Sequence, residues 1–516
     1  MNSLFCFNID DYHSIHGWRR PNTTTLSTAN HMATSVSKKI EQCEKVPAIY
    51  NQIHIHNPKN IEADRIKLHL MDEFKGIFEV SYNMRKKKWI SQNASINETN
   101  RIELLTVHFY DALILEKYHD RSMKGVRIIN LQQKNLHSLN DYLEVLQTLT
   151  KIESISIYLQ NNIIPIVADW PGQLFLRKII TKISQQEQQQ NLNTEYKVFK
   201  NFVPLIGPLH ISLNSREHII ILHWEFFNKL FHYVFGSRKV LAKKPKPWRI
   251  NLLLDLASRG WKKISHVILN KFPKNCKDIE YRMMIDLLDN IIPSTLDIYA
   301  ILFRSGSFEE YLETIFRIWT FALRWRRKNY NKAPLAFLSD YYYWKDKNHP
   351  FNETIKLYLA NFNDYYVENI HSKIRNNTTS LHTPEAIINQ AYLLDLHDQT
   401  TIKAFKNERT YPYTEPVLEE LTIRTSLFLL NHFHSIYLNL GKSKLENDEK
   451  KTYKLATLDK IVDTKLLPAG YNTSYPPSIN LCDHCKGLLS TSTNNDEVVL
   501  ICGHGYHVNC YNELGK

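Results

Sequence analysis

The sequence predicts an α/β body, a large helical extension and a small C-terminal zinc finger, and three observations carry that prediction. Two short uncharged apolar runs, residues 163–168 and 202–207, flank a stretch in which Leu174, Phe175, Ile179, Ile180 and Ile183 recur at helical spacing. Apolar runs joined through a helix are the pattern of buried parallel strands in a β-α-β unit. From residue 248 to 359 the pattern turns helical, with apolar positions three and four apart over residues 279–292 and 308–325. Finally, four of the seven cysteines crowd into the last 35 residues.

Composition narrows the function classes. The chain has 516 residues, 43% of them apolar and 23% charged, which is ordinary for a globular protein of several domains and excludes wholesale disorder. A net charge of +13 and a pI near 9.1 favour an acidic partner, nucleic acid before an anionic membrane surface. The most apolar helix-like stretch, residues 217–235, is interrupted by His218, His223, Glu225 and Lys229, so no membrane span is expected. The first residues lack a basic, signal-like start. Clustered cysteines without a framework spacing point to an intracellular protein, of nucleus or cytoplasm, with a metal site in place of disulfides.

Taken in order, residues 4–9 read as a strand ending at Asp10 and Asp11, followed by a basic loop, Arg19-Arg20-Pro21-Asn22. A strand this close to the start leads to the expectation that further sequence lies upstream. The basic cluster Arg85-Lys86-Lys87-Lys88 beside Trp89 suits a phosphate backbone plus stacking, although such a run is more often a solvated helix face. Residues 104–110 read as a strand and 139–149 as a helix. In the central β-α-β unit the two runs end at Asp169 and near His210, and carboxyl ends of strands carry chemistry in open α/β sheets. Asp169 could instead only cap the following helix.

Arg238, Lys239, Lys243, Lys244, Lys246 and Arg249 lie around Pro245 and Pro247 without an acid among them. Prolines exclude a helix face there, which favours a phosphate-contacting loop. Arg326 and Arg327 form a second basic point after the 308–325 helix. Over residues 361–375 a helix would align Asp364, Glu368, His371 and Arg375 on one stripe, either a solvent face, the preferred reading, or a site facing inward. A helix is expected over residues 415–439 and a polar linker over 441–477.

Asp10, Asp169 and Glu368 make an ordered set of three carboxylates of the kind that two hard divalent ions require. The residues around them resemble a transposable-element-derived family with an RNase H-like, DDE-type transposase core. The motifs are Ile9-Asp10-Asp11, Val167-Ala168-Asp169, Pro208-Leu209-His210 with Asn214, Lys328-Asn329-Tyr330, and Glu368-Asn369-Ile370-His371-Ser372-Lys373. The resemblance implies an RNase H-like mixed sheet over residues 1–236 and a mainly helical region over 237–440 that carries the third acid. It also implies catalytic roles for Asp10, Asp169 and Glu368, a supporting role for His210, Mg2+ as cofactor, and DNA as substrate.

The most specific motif is Cys482-x2-Cys485-x16-Cys502-x-His504-x2-His507-x2-Cys510, six candidate zinc ligands in 29 residues. Thiolate and imidazole are zinc's preferred ligands, and each close pair can chelate from one tight turn. The spacing of residues 478–516 resembles a RING finger of the type with two central histidines. That resemblance implies a first zinc on Cys482, Cys485, His507 and Cys510, and a second begun by Cys502 and His504, whose closing pair would lie beyond Lys516. It also implies a ubiquitin-conjugating enzyme as partner, although His484 stands where such fingers present an aliphatic contact. The sequence therefore supports a zinc-binding protein acting on nucleic acid, an active or relic strand transferase. Its alternatives are a RING-type ubiquitin ligase and a non-catalytic DNA- or protein-binding adaptor.

Overall fold

The computed structural model describes residues 3–16, 28–73, 114, 116–117, 119–189, 194–273, 275–325, 327, 329–379, 382–394, 413–443, 477–478, 480–489, 497–500 and 502–514. The Arg19–Asn22 and 85–89 basic stretches, the 104–110 strand, Arg326, Lys328 and most of the 441–477 linker lie outside these residues. The strands are β1 (Ser3–His16), β2 (Thr28–Glu44), β3 (Ile49–Tyr50), β4 (Ile53–His54), β5 (Val126–Gln133), β6 (Ile164–Ala168), β7 (Phe202–Ile206), β8 (Glu497–Val499) and β9 (Gly505–His507). The helices used below are α1 (Leu139–Thr150), α2 (Trp170–Gln188), α3 (Pro208–Leu222), α4 (Trp224–Phe235), α5 (Pro247–Lys271), α6 (Ile279–Ile285), α7 (Tyr365–Asn377), α8 (Glu415–Ser443) and α9 (Val508–Leu514).

The chain forms two compact units, each assembled from separated segments. Unit 1 comprises Met1–Asn214, Tyr299–Trp319 and Lys328–Thr410; unit 2 comprises Ser215–Ile298, Thr320–Arg327 and Tyr411–Lys516.

Unit 1 is built on a mixed five-stranded sheet of order β5-β2-β1-β6-β7. β2 runs antiparallel to β1 and β5, while β6 is parallel to both β1 and β7. All five residues of β6 and of β7 are buried, as expected of parallel strands covered on both faces. Pro204 is tolerated because β7 lies at the sheet edge. Period-two alternation divides β1 between two layers. Phe7 and Ile9 pack on one face with Val145, Leu146 and Leu149 of α1 and Leu176, Ile179 and Ile183 of α2. Tyr12 faces the other way, with Met32 and Val36 of β2 and Tyr366, Ile370 and Ile374 of α7. Each fully buried side chain of this size contributes about 1.5–3 kcal/mol, so both layers hold the sheet firmly.

Two expectations are corrected here. β1 does not end at Asp10 and Asp11 but continues through them to His16, because β2 pairs with it along its whole length, Asp10 opposite Thr34. The 361–375 stripe is only partly a solvent face: Arg375 is exposed, but the other members turn inward. Asp364 and His371 are each 1% exposed because α7 packs that side onto the sheet.

Unit 2 is helical. α5 packs along α8, where a Cβ on Gly260 would come within 2.8 Å of Thr425 Cγ2, so glycine permits the close approach. Arg216 is buried and donates to Asp297 Oδ1 at 2.9 Å and to the Leu296 carbonyl at 3.1 Å. Residues Asp286–Asp297 wind as a π-helix that contains Pro293, which lacks the N–H of a regular ladder. No helix among the described residues is long and apolar enough to cross a membrane.

Candidate functional site

The parallel pairing of β1 with β6 sets Phe7 opposite Ile166 and Asn8 opposite Val167. Past these pairs β1 runs on to Asp10 while β6 ends one residue before Asp169, which lies near enough for its charge to act on Asp10. Asn8 reinforces this junction: its Nδ2 donates to the Val167 carbonyl at 3.1 Å and to the Asn363 carbonyl at 3.0 Å. The turn before α7 is thereby tied to the strand ends. Asp169 is indeed the N-cap of α2, accepting from Gly172 N–H at 2.9 Å, so the capping role and a place at the site coexist.

On the other side of β6, Ala168 pairs with Ile206, and the chain turns at Gly207 into α3. That turn presents two backbone N–H groups, of Leu209 and His210, to the buried carboxylate of Asp364 at 2.8 and 3.0 Å. The same carboxylate meets His210 Nδ1 at 2.6 Å, leaving His210 Nε2 3.4 Å from Glu368 Oε1. Gly207 makes this possible. A Cβ there would come within 2.4 Å of Asp364 Oδ2 and 2.9 Å of the Ala168 carbonyl.

The structure thus brings together all four residues expected from the sequence and adds two. Asp10, Glu368 and His371 place one ligand atom each within 4.8 Å of one another, a set that could hold a metal ion. His371 Nε2 lies 2.9 Å from Thr34 Oγ1, whose hydroxyl donates to the Met32 carbonyl at 3.4 Å, so the imidazole is the donor and Nδ1 keeps its lone pair. That nitrogen looks at Asp10 Oδ2 from 3.7 Å, a spacing that suits a shared cation. Asp364 and His371 belonged to the stripe assigned to solvent; the missing signal was the tertiary fact that α7 covers the sheet.

Burial raises the Asp10 carboxyl well above the ordinary range, and the Glu368 charge adds to this, with His210 partly offsetting it. Asp169 is raised by burial too, again eased by His210. Burial alone would depress His210. The hydrogen bond and charge of Asp364, with Asp10 and Glu368, win and hold it well above its usual value as an imidazolium. His371 is pushed well below by burial and by Arg375, so it stays neutral.

In unit 2, Cys482, Cys485, His507 and Cys510 converge, with one ligand atom each mutually within 4.8 Å, and could hold a metal ion. The first two cysteines flank a tight turn closed by Lys486 N–H to Cys482 O at 2.9 Å and Cys482 N–H to Gly487 O at 2.8 Å. His507 ends β9 and Cys510 lies one turn later on α9. His507 Nε2 donates to the Leu488 carbonyl at 3.1 Å, which leaves Nδ1 for a metal. Nδ1 stands 3.4 Å from Cys485 Sγ and 4.0 Å from Cys510 Sγ. A tetrahedral zinc with ~2.3 Å sulfur and ~2.0 Å nitrogen bonds implies an S···N edge of ~3.5 Å, so the donor set fits zinc. Burial raises the Cys482 thiol, but N–H groups of Cys485, His507 and His484 outweigh it and bring it down to about 6.

Cys502 Sγ and His504 Nδ1 approach to 3.2 Å away from that quartet. His484 turns toward Glu513, 3.8 Å away, and is not in the quartet. The finger is tied to the helices of unit 2. Partly buried Lys277, between α5 and α6, donates to the Ser478 and Leu481 carbonyls at 2.6 and 2.8 Å and to Asp483 Oδ2 at 3.0 Å.

The expected basic loop is found in unit 2: residues 237–246 are non-helical before Pro247 starts α5. Arg249, however, lies in α5 with its guanidinium 4.6 Å from the Trp248 ring centre and 5.3 Å from that of Phe231. Arg327 N–H bonds to Ala322 O at 2.8 Å, ending the preceding helix. No known protein family, curated protein or solved structure matches the chain, so the resemblances noted above rest on its own residues.

Proposed function

We propose that unit 1 is an RNase H-like nucleic-acid-processing core of the DDE-transposase type, in which Asp10, Asp169 and Glu368 hold divalent metal for phosphodiester chemistry. The observation that carries this reading is that Asp10 lies on β1 and Glu368 on α7, close enough to share an ion, with Asp169 directly after the neighbouring parallel strand β6. The strand order β5-β2-β1-β6-β7, with β2 alone reversed, supports it. So does the donor chemistry, since converging carboxylates match hard divalent cations.

Metal bound there supplies activation of a water or 3′-hydroxyl and neutralises the leaving oxygen of an in-line displacement. The chain's own residues prepare the place. Asp364 fixes His210, and the His210 imidazolium faces Glu368 and relieves the repulsion among the acids. Neutral His371 offers Nδ1 beside Asp10. The loop at residues 237–246 supplies Arg238, Lys239, Lys243, Lys244 and Lys246 for phosphate contact. The finger of unit 2, loaded with zinc, stiffens its own end of the chain and is not required to touch substrate.

The test is Mn2+ binding followed by nicking of supercoiled DNA. Wild type should bind Mn2+ and nick, while Asp10→Asn and Glu368→Gln should lose at least tenfold in Mn2+ affinity and about 100-fold or more in rate. Wild-type Mn2+ binding that both variants retain would remove the reading.

A further inference from the structure

Alternation along β1 sends Asp10 toward α7 and its neighbours Ile9, Asp11 and His13 toward the face covered by α1 and α2. On that second face a separate cluster forms. His13 of β1 stands directly across from His31 of β2, and Asp11 lies one same-face step earlier, opposite Ala33. The His13 and His31 rings meet edge-on with centres 4.4 Å apart, and His137, just before α1, reaches the His31 ring at 5.3 Å. Asp11 Oδ2 lies 2.9 Å from His31 Nδ1 and 3.7 Å from His13 Nε2. One ligand atom from each of the three residues falls within 4.8 Å of the others.

We propose that Asp11, His13 and His31, with His137 alongside, bind a borderline divalent ion of the Zn2+ or Co2+ class, separate from both the carboxylate site and the finger.

Three features point to an ion and not merely to a polar surface cluster. Asp11 Oδ1 is inaccessible to water and has no hydrogen-bond partner among the described residues, so a buried charged oxygen lacks what burial demands. Two imidazoles flank one carboxylate and a third ring packs against one of them, so that several lone pairs converge on one place. Finally, His13 is 52% exposed while Asp11 is 12% exposed, which gives the pocket a wet side for the ion and a dry side to hold it. Two imidazoles with one carboxylate suit zinc, cobalt, nickel or iron in preference to magnesium. Three ligands from one face leave further positions for water or His137. Because the ligands come from both strands, the ion would clamp the β1–β2 hairpin at the level of the acids.

The full chain, its finger already loaded with one zinc equivalent, is titrated with Zn2+ by calorimetry and its metal counted after desalting. Wild type should take up a further equivalent that His13→Ala and His31→Gln each weaken at least tenfold. Because Zn2+ also suits the carboxylate site, the same titrations are run in the Asp10→Asn background, which removes a ligand of that site on the other face, and the further equivalent and its dependence on His13 should remain. Exposed His13 can be truncated without opening the core, so an unfolded His31→Gln protein would leave the His13 variant decisive. Unchanged uptake in the His13 variant overturns the proposal, and so does an Asp10→Asn chain that takes up no ion beyond the finger's. Either result leaves the phosphodiester reading standing, since that rests on Mn2+ at Asp10 and Glu368.

Discussion

At the scale of single residues, Asp364 governs the carboxylate site without being one of its expected acids. Almost wholly buried, it spends both oxygens on the Leu209 and His210 backbone and on the His210 ring, and so fixes where a positive charge stands among Asp10, Asp169 and Glu368. Gly207 is the residue that lets it approach. Gly207→Ala should therefore cost about 1–3 kcal/mol and displace His210, read as a lower urea midpoint with an unchanged slope. A second prediction concerns pH. Asp10 has its carboxyl raised by burial and by Glu368, so the folded state holds that proton more tightly than the unfolded chain. Its stability contribution is thus lost as pH climbs from the ordinary carboxylate range through the raised value. In chelator, Asp10→Asn should be more stable than wild type at pH 8, with the advantage gone near pH 4; a variant less stable at pH 8 would contradict this. His210, raised by Asp364, keeps its contribution below the usual histidine range and loses it only on the alkaline side.

At the scale of elements, the finger shows how docking changes a small metal module. Lys277 and Asp483 are 9% and 4% exposed, and Asp483 also accepts the Ser478 and Gly505 N–H groups at 2.7 Å each. Lys277→Ala leaves that carboxylate only the more distant, exposed Lys486 at 3.9 Å and should cost up to about 3 kcal/mol, lowering zinc retention although no ligand is touched. Cys482→Ser should release zinc and also lower the melting temperature of the helices that the finger sits on, where a decoupled finger would leave them unchanged. What the sequence disclosed at this scale followed local pattern. The runs that became β6 and β7 were legible because both faces of each strand are apolar, and residues 139–149 because one stripe is. The β1–β2 hairpin was not, since Asp10, Asp11 and His13 interrupt β1, and Lys38, Lys39, Glu41 and Glu44 make β2 look like surface. Lys38 is in fact buried, donating to the Ser122 and Lys124 carbonyls at 2.8 and 2.6 Å. Of the four expected site residues only Asp169 directly follows a strand; Asp10 lies inside β1, His210 in the first turn of α3 and Glu368 on α7. Asp364 and His371 were not legible as site residues, because only tertiary packing decides which side of a helix is wet.

At the scale of the whole molecule, the +13 charge and the loop at residues 237–246 lead to a salt prediction. If Arg238, Lys239, Lys243, Lys244 and Lys246 each neutralise a phosphate, log K for duplex DNA should fall with log salt at a slope of about −4.5. Replacing Lys239, Lys243 and Lys244 by alanine should reduce that slope by ~2.7. Arg249, stacked on Trp248 and Phe231, should matter for folding more than for the slope. Binding that ignores salt would argue against a phosphate-gripping role for the loop.

The segmented make-up of unit 1 has a consequence in time. Asp10 and Glu368 are separated by 358 residues, and Ser215–Ile298 of unit 2 is synthesised between them. At the usual ~5–20 residues per second of translation, the first acid emerges roughly 20–70 s before the third. Until α7 arrives, the nascent sheet lacks the cover for Met32, Val36 and Leu131 on that face. A ribosome halted near residue 300 should therefore display a β1–β2 hairpin open to protease and to chaperones, and protection should come only with the last turn of α7.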